Sequence, residues 1–182
     1  MSPRIFYSSL AIACTALLSF GYFLQFVKGI EPCPLCIFQR VAFIAVILFG
    51  MIGAIHGPRG FGRLIYSGLI CIAGLTGAGI AARQVWLQHL PPDQVPACGP
   101  GLEFMFDTFP IADAIKMVFR GSGECAEVKW TFLSLSIPEW SLIWFTVIVI
   151  ASGIHLFIRQ KLLHQRGDGA VLVDDLLGKV LA

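Results

Sequence analysis

The residues best equipped for chemistry are the six cysteines, and two of them sit in Glu31-Pro32-Cys33-Pro34-Leu35-Cys36-Ile37-Phe38-Gln39-Arg40. Proline is favoured at the first position of a helix, so Pro34 places Cys33 at or near an N-cap and Cys36 in the first turn. Unpaired backbone N–H groups and the helix dipole favour negative charge there, and the thiolate is the species that exchanges disulfides. Arg40 follows Cys36 by four residues, on the same helical face one turn further along. Two more cysteines, Cys98 and Cys125, enclose a 26-residue stretch. Three chemistries are open to such a set. It can exchange disulfides, form inert structural bridges with Arg40 snorkelling to a polar boundary, or bind zinc through four thiolates. Zinc is disfavoured because Cys98 and Cys125 do not make a second C-x-x-C.

The elements that hold these residues follow from composition. Of 182 residues, 57% are hydrophobic and only 13% charged, with a mean hydropathy of +0.80. A soluble domain of this size needs more charge to cover its surface, and a disordered chain is poorer in apolar residues. The net charge of +2 is too small and too scattered to point to nucleic acid. Four charge-free intervals remain: 23 residues after Arg4, 18 after Arg40, 19 after Arg63 and 19 after Glu139. Crossing ~30 Å of hydrocarbon takes about 20 apolar residues, and these runs do not alternate as barrel strands do. The expectation is an all-α membrane protein, a four-transmembrane-helix bundle forming a single domain over 1–182. Its spans run over about 5–27, 37–56, 64–82 and 140–158, with loops at about 28–36 and 84–139 and a tail at 159–182. The first run exceeds a signal-peptide core and lacks a small-residue cleavage site, so it is read as a retained span.

Orientation follows from the basic residues. Arg4, Arg59, Arg63, Arg159, Lys161, Arg166 and Lys179 fall on the side of the termini and the short second loop, which the positive-inside rule makes cytoplasmic. The long loop carries three basic residues against seven acids and faces outward with Cys33, Cys36, Cys98 and Cys125. Disulfides persist in such a compartment, which favours redox chemistry over metal binding. Cys14 and Cys71, in mid-span, are read as small buried hydrophobes. Within the loop, Ile111, Ile115, Val118 and Phe119 recur at helical spacing opposite Asp113, Lys116 and Arg120. That pattern predicts a short amphipathic helix, lying on the membrane surface or on the protein itself. Gly99-Pro100-Gly101 and Gly121-Ser122-Gly123 flank it as mobile connections. The four tryptophans suit an interfacial belt, while His56, His155 and His164 read as solvated residues at cytoplasmic span ends.

The octapeptide Cys-Pro-Leu-Cys-Ile-Phe-Gln-Arg at 33–40, the four spans, Gly123-Glu124-Cys125-Ala126-Glu127, Trp130 and Pro138-Glu139-Trp140 together resemble the bacterial disulfide bond formation protein B (DsbB) family. The resemblance covers nearly the whole chain up to about residue 160. It implies a bacterial inner-membrane enzyme that reoxidises a DsbA-like periplasmic thioredoxin-fold oxidase and passes the electrons to the membrane quinone pool, as ubiquinone or menaquinone. On that resemblance the partner attacks Cys98 of a Cys98–Cys125 disulfide. Cys125 then attacks Cys33, freeing Cys36 beside the quinone, with Arg40 stabilising the developing charge. His89 matches a family position near the quinone. A thiol–quinone enzyme of the vitamin K epoxide reductase type, or a non-catalytic membrane protein with structural disulfides or zinc, is the alternative. No G-x-G-x-x-G is present, and Ile37 in place of histidine excludes a haem-attachment motif.

Overall fold

The structure is a computed structural model and describes residues 2–58, 60–91, 93–96, 104, 107–121 and 123–157. Helix α1 (Pro3–Lys28) starts at Ser2, whose Oγ accepts the Ile5 N–H, with Pro3 pre-shaped for the first turn. It stops at Gly29, which takes a left-handed conformation and returns its N–H to the Leu24 carbonyl. Helix α2 (Pro34–His56) has Cys33 as its N-cap and ends at the left-handed Gly57. Helix α3 (Phe61–Gln88) outruns the apolar interval 64–82 and carries Arg83 and Gln84 on its last turns. Helix α4 (Ile111–Arg120), a single helical turn α5 (Gly123–Ala126) and a hairpin of β1 (Thr131–Phe132) and β2 (Leu135–Ser136) lead into helix α6 (Ile137–Phe157).

Helices α1, α2, α3 and α6, of 26, 23, 28 and 21 residues, are each long and apolar enough to cross a membrane. The expected all-α, four-span architecture is thus the one found. Large apolar side chains such as Ile12, Phe26, Ile55 and Ile72 are exposed on the outside of the bundle. In water that surface is unfavourable at roughly 25 cal/mol per Å²; against lipid it is matched.

The inside is closed by small residues set against large ones. Tyr7, Cys14, Phe43, Val46, Ile70, Phe145 and Ile148 form one buried cluster, with the Phe43 and Phe145 rings stacked at 4.1 Å. Gly77 lets α6 approach α3: a Cβ there would overlap the Phe145 ring. Gly50 does the same for α1 and α2, since a Cβ would sit 3.1 Å from the Tyr7 carbonyl oxygen. Cys14 is buried in this core, as expected of a small hydrophobe, whereas Cys71 is half-buried. At the end of the bundle away from Cys33, the Tyr7 and Ser67 hydroxyls lie 2.9 Å apart, and Ser67 Oγ is 3.1 Å from His155 Nδ1. His155 also stacks on Phe6 at 4.3 Å. It is therefore tied into the junction of α1, α3 and α6 rather than simply solvated.

The amphipathic helix expected from the loop sequence exists as α4. Val118 is buried while Ile111 and Phe119 are exposed, and Asp113 pairs with Lys116 at 3.2 Å; the side chains of Ile115 and Arg120 lie outside the described residues. Arg83 Nε donates to the Phe119 carbonyl, fastening α3 to α4. Gly121 ends the helix at φ 85°, where a Cβ would both strain the backbone and strike Leu87.

Candidate functional site

Proline at the first helical position does what the sequence suggests. Cys33 is extended at φ −70° and ψ 165°, and its carbonyl accepts the Ile37 N–H at 3.2 Å as the first bond of α2. Cys36 lies one turn in. The two sulfurs are 3.3 Å apart with Cys33 donating, a separation from which a disulfide closes with little backbone movement.

Cys125 arrives from the far side of the sequence. The α5 turn seats it, fully buried, in a second cluster with Cys33, Leu35, Ile80, Leu87 and Val118, against which Cys36 and Phe38 pack. Donation by the Cys33 thiol to Cys125, then to Cys36, and then burial, push the Cys33 thiol well above the ordinary cysteine value. Cys33 thus sits between two other sulfurs and keeps its proton in the reduced protein. The fourth expected redox cysteine, Cys98, lies outside the described residues, as do Arg59, Gly99 to Gly101, Ser122 and the tail from 158 onward.

The polar partner of the Cys33–Cys36 pair is a residue that motif reading overlooks. Gln84 on α3 is buried and its Nε2 donates to both sulfurs, at 3.2 Å each. Its Oε1 accepts from Gln39 Nε2 at 2.8 Å, Gln39 being buried on α2 one turn after Cys36. Each hydrogen of the Gln84 amide is therefore committed. The sequence hides it, because Arg83 ends the charge-free interval and Gln84 then falls at the start of the long loop, whereas α3 continues to Gln88 and carries Gln84 on its buried face.

Arg40 faces α1. Its guanidinium donates to Gln25 Oε1 at 2.5 Å and to the Gly21 carbonyl at 3.4 Å, and lies over the Tyr22 ring at 4.7 Å. Those contacts neutralise the difficulty of a cation at this depth. His89 caps the end of α3, exposed, with Nδ1 2.8 Å from the Val85 carbonyl oxygen. The neighbouring Gln88 instead accepts from Ser136 Oγ at 2.8 Å, joining α3 to the start of α6.

Between α1, α2, α3 and α6 lies a cavity of about 500 Å³. Leu17, Leu24, Phe43 and Trp144 give it apolar walls, while Cys33, Cys36, Gln39, Arg40, Gln84 and Gln88 bring polar atoms to it. Ser136 lines the cavity too, and its N–H is held by Glu139 Oε2 at 2.6 Å. An apolar hollow with a few convergent polar groups suits a flat, mostly apolar ligand. Among the described residues no cluster of three His, Cys, Asp or Glu is arranged to hold a metal ion.

Comparison with known proteins places the chain in a family. The profile of the family described as "Disulfide bond formation protein DsbB" matches residues 3–155. A protein named "Disulfide bond formation protein B" from Azoarcus sp. (strain BH72) is 48% identical over 147 residues, covering 81% of this chain and 88% of its own. Its namesake from Nitrosococcus oceani is 50% identical over 139 residues, covering 76% and 82%. That from Methylococcus capsulatus is 51% identical over 132 residues, covering 72% and 80%. A membrane bundle with three sulfurs gathered at one end, matched along nearly its whole folded length, belongs to the disulfide bond formation protein B family.

Proposed function

We propose that this chain is a protein-disulfide:quinone oxidoreductase of the bacterial inner membrane, with both termini cytoplasmic and its redox cysteines periplasmic. It reoxidises a DsbA-like thioredoxin-fold oxidase. The observation that carries this reading is the contact of Cys125, Cys33 and Cys36 at the edge of a lipid-level cavity. A thiolate of the reduced partner attacks Cys98, breaking a Cys98–Cys125 disulfide and releasing Cys125 as a thiolate. The partner's second thiol resolves the mixed disulfide, leaving the partner oxidised and Cys98 reduced. Cys125 attacks Cys33, breaking the Cys33–Cys36 disulfide, and Cys36 departs as a thiolate. Cys98 then recloses on Cys125 and returns Cys33 as a thiol.

The two electrons now reside on Cys33 and Cys36. When bound, a quinone, ubiquinone or menaquinone, supplies a two-electron, two-proton acceptor. The cavity fits such a group: its walls are apolar, and Cys36, Gln39, Gln84 and Arg40 line it together. Gln84 holds both sulfurs in place and Arg40 sets a positive field from the α1 side, while His89, exposed at the end of α3 outside the cavity lining, is placed to pass protons from the surface toward the site.

The test is anaerobic quinone loss catalysed by the purified protein with a reduced thioredoxin-fold periplasmic dithiol oxidase. Wild type is expected to turn over, and Cys36→Ser and Cys98→Ser are each expected to abolish it. A folded, fully oxidised wild type that reduces no quinone removes the proposal.

A further inference from the structure

The β1–β2 hairpin carries a feature that disulfide exchange does not use. Leu133 and Ser134, its two turn residues, have φ of 52° and 65°, and they are the only non-glycine residues with positive φ among those described. Two left-handed central residues make a type I′ turn, which ordinarily selects Asn-Gly. A leucine there is strained by its own Cβ, yet its side chain is 73% exposed and finds no compensating core. Phe132 beside it is 53% exposed. The stretch from Trp130 to Ser136 carries no charge.

The hairpin is fixed at the depth of the spans. Trp140 Nε1, on α6, donates to the Phe132 carbonyl at 3.0 Å. The Trp130 and Phe132 rings stack at 6.0 Å, nearly parallel at 4°, and Trp130 meets Phe20 of α1 edge-on at 5.8 Å. Phe20 precedes the end of α1 at Lys28 by just over two helical turns, or about 12 Å along the axis. The hairpin therefore lies alongside the membrane-crossing part of the bundle, and α6 begins directly after it.

We infer that the hairpin is an interfacial anchor, whose Phe132–Leu133 tip is seated among lipid acyl chains just below the headgroups. Backbone strain that places an uncharged apolar tip outward is offset when that tip leaves water. The aromatic ladder behind it is of the kind that sits at membrane boundaries. Trp130 and Phe132 also line the cavity between the helices, whereas Leu133 does not, so the reading at Leu133 is separate from the electron acceptor and from the soluble partner.

The experiment places the fluorescent amino acid acridonylalanine at position 133, and in a second variant at the exposed Asp93, which does not line the cavity, in the full-length protein in phosphatidylcholine vesicles. Brominated acyl chains are expected to quench position 133 at least about twofold more than 93, since an interfacial depth of about 5–10 Å reaches the acyl region. Aqueous iodide is expected to act in the opposite order. Equal iodide quenching at both positions with no effect of brominated lipid overturns the assignment. So does shielding of 133 that appears only on adding a thioredoxin-fold protein, which would make the tip a protein-docking surface. If the label at 133 prevents folding, the same readings at the other exposed turn residue, 134, decide the question.

Discussion

Gln84 holds both sulfurs of the Cys33–Cys36 pair through one amide group and is itself held by Gln39. Gln84→Leu keeps the volume but removes two donors and one acceptor from a buried site. The expected loss is about 1–3 kcal/mol of stability for the unpaired Gln39 amide alone, read as a lower unfolding midpoint in detergent. Turnover is expected to fall by ~10-fold or more, because a hydrogen bond to a charged sulfur is worth about 1.5–3 kcal/mol. An unchanged rate would show that Gln84 only fills space. Cys33 makes a second prediction through its raised pKa. Above the ordinary value of 9.0 the unfolded chain releases the Cys33 proton while the folded reduced chain keeps it, so unfolding is favoured as pH rises. The stabilisation is full below pH 9.0 and is lost above it, towards the folded value. Reduced wild type is expected to lose more thermal stability between about pH 8 and 10.5 than reduced Cys33→Ala, and the oxidised protein is expected to lack the difference. Identical profiles would remove the assignment of the proton to Cys33. Cysteines announce themselves by type and spacing, which is why Cys33, Cys36 and Cys125 were readable. The glutamines were not, because a partnership between residues on α2 and α3 depends on the rotation of each helix about its axis. A sequence interval does not encode that rotation.

Helices were legible for a different reason: the requirement to cross hydrocarbon is set by length and charge, both countable, and α1, α2, α3 and α6 appear where the charge-free intervals stand. Their ends were less so. The charge of Arg83 closed the third interval, yet α3 continues to Gln88 because Arg83 finds the Phe119 carbonyl and the Trp86 ring at 4.3 Å. The glycines of α3 are a sharper case. Composition says that Gly68, Gly74, Gly77 and Gly79 permit close packing, and the structure says which ones use it. Gly77 faces the stacked Phe145 ring, and Gly74 faces Val149 at 3.0 Å, whereas Gly68 and Gly79 face open space. Gly77→Ala is therefore expected to destabilise by about 1–3 kcal/mol, since Phe145 is pinned against Phe43 and cannot yield. Gly79→Ala is expected to be neutral or stabilising by up to ~1 kcal/mol through helix propensity. Unfolding of both variants in mild detergent under a denaturing titration checks the pair. Equal effects would mean that α6 does not pack on α3 as described.

At the scale of the whole molecule, the site exists only because distant segments are brought to one end of the bundle. The α2 N-terminus supplies Cys33 and Cys36, the end of α3 supplies Gln84, and a loop segment reaching past α4 supplies Cys125. Membrane folding fixes the first two, since each helix must emerge at the same surface. The third depends on a few apolar contacts: Val118 and Cys125 against Leu35, Ile80 and Leu87, with Gly121 allowing the chain to turn closely over Leu87. No periodicity in the sequence announces such docking, so the meeting of Cys125 with Cys33 came from family resemblance rather than from spacing. It is directly testable. In the double variant Cys36→Ala, Cys98→Ala, Cys33 and Cys125 are left without their other expected redox partners, while Cys14 and Cys71 sit apart in the spans. Mild oxidation is expected to join residues 33 and 125 in most molecules, because the Cys33 thiol already donates to Cys125 and a disulfide forms only where Cβ atoms approach to about 3.5–4.5 Å. Proteolysis between the two positions followed by non-reducing mass spectrometry reads the product. Adding Gly121→Val is expected to lower the yield several-fold by strain at positive φ and overlap with Leu87. A high yield in that triple variant would show that α5 finds Cys33 without the packing that holds it here, and an absent crosslink in the double variant would separate the two cysteine loops altogether.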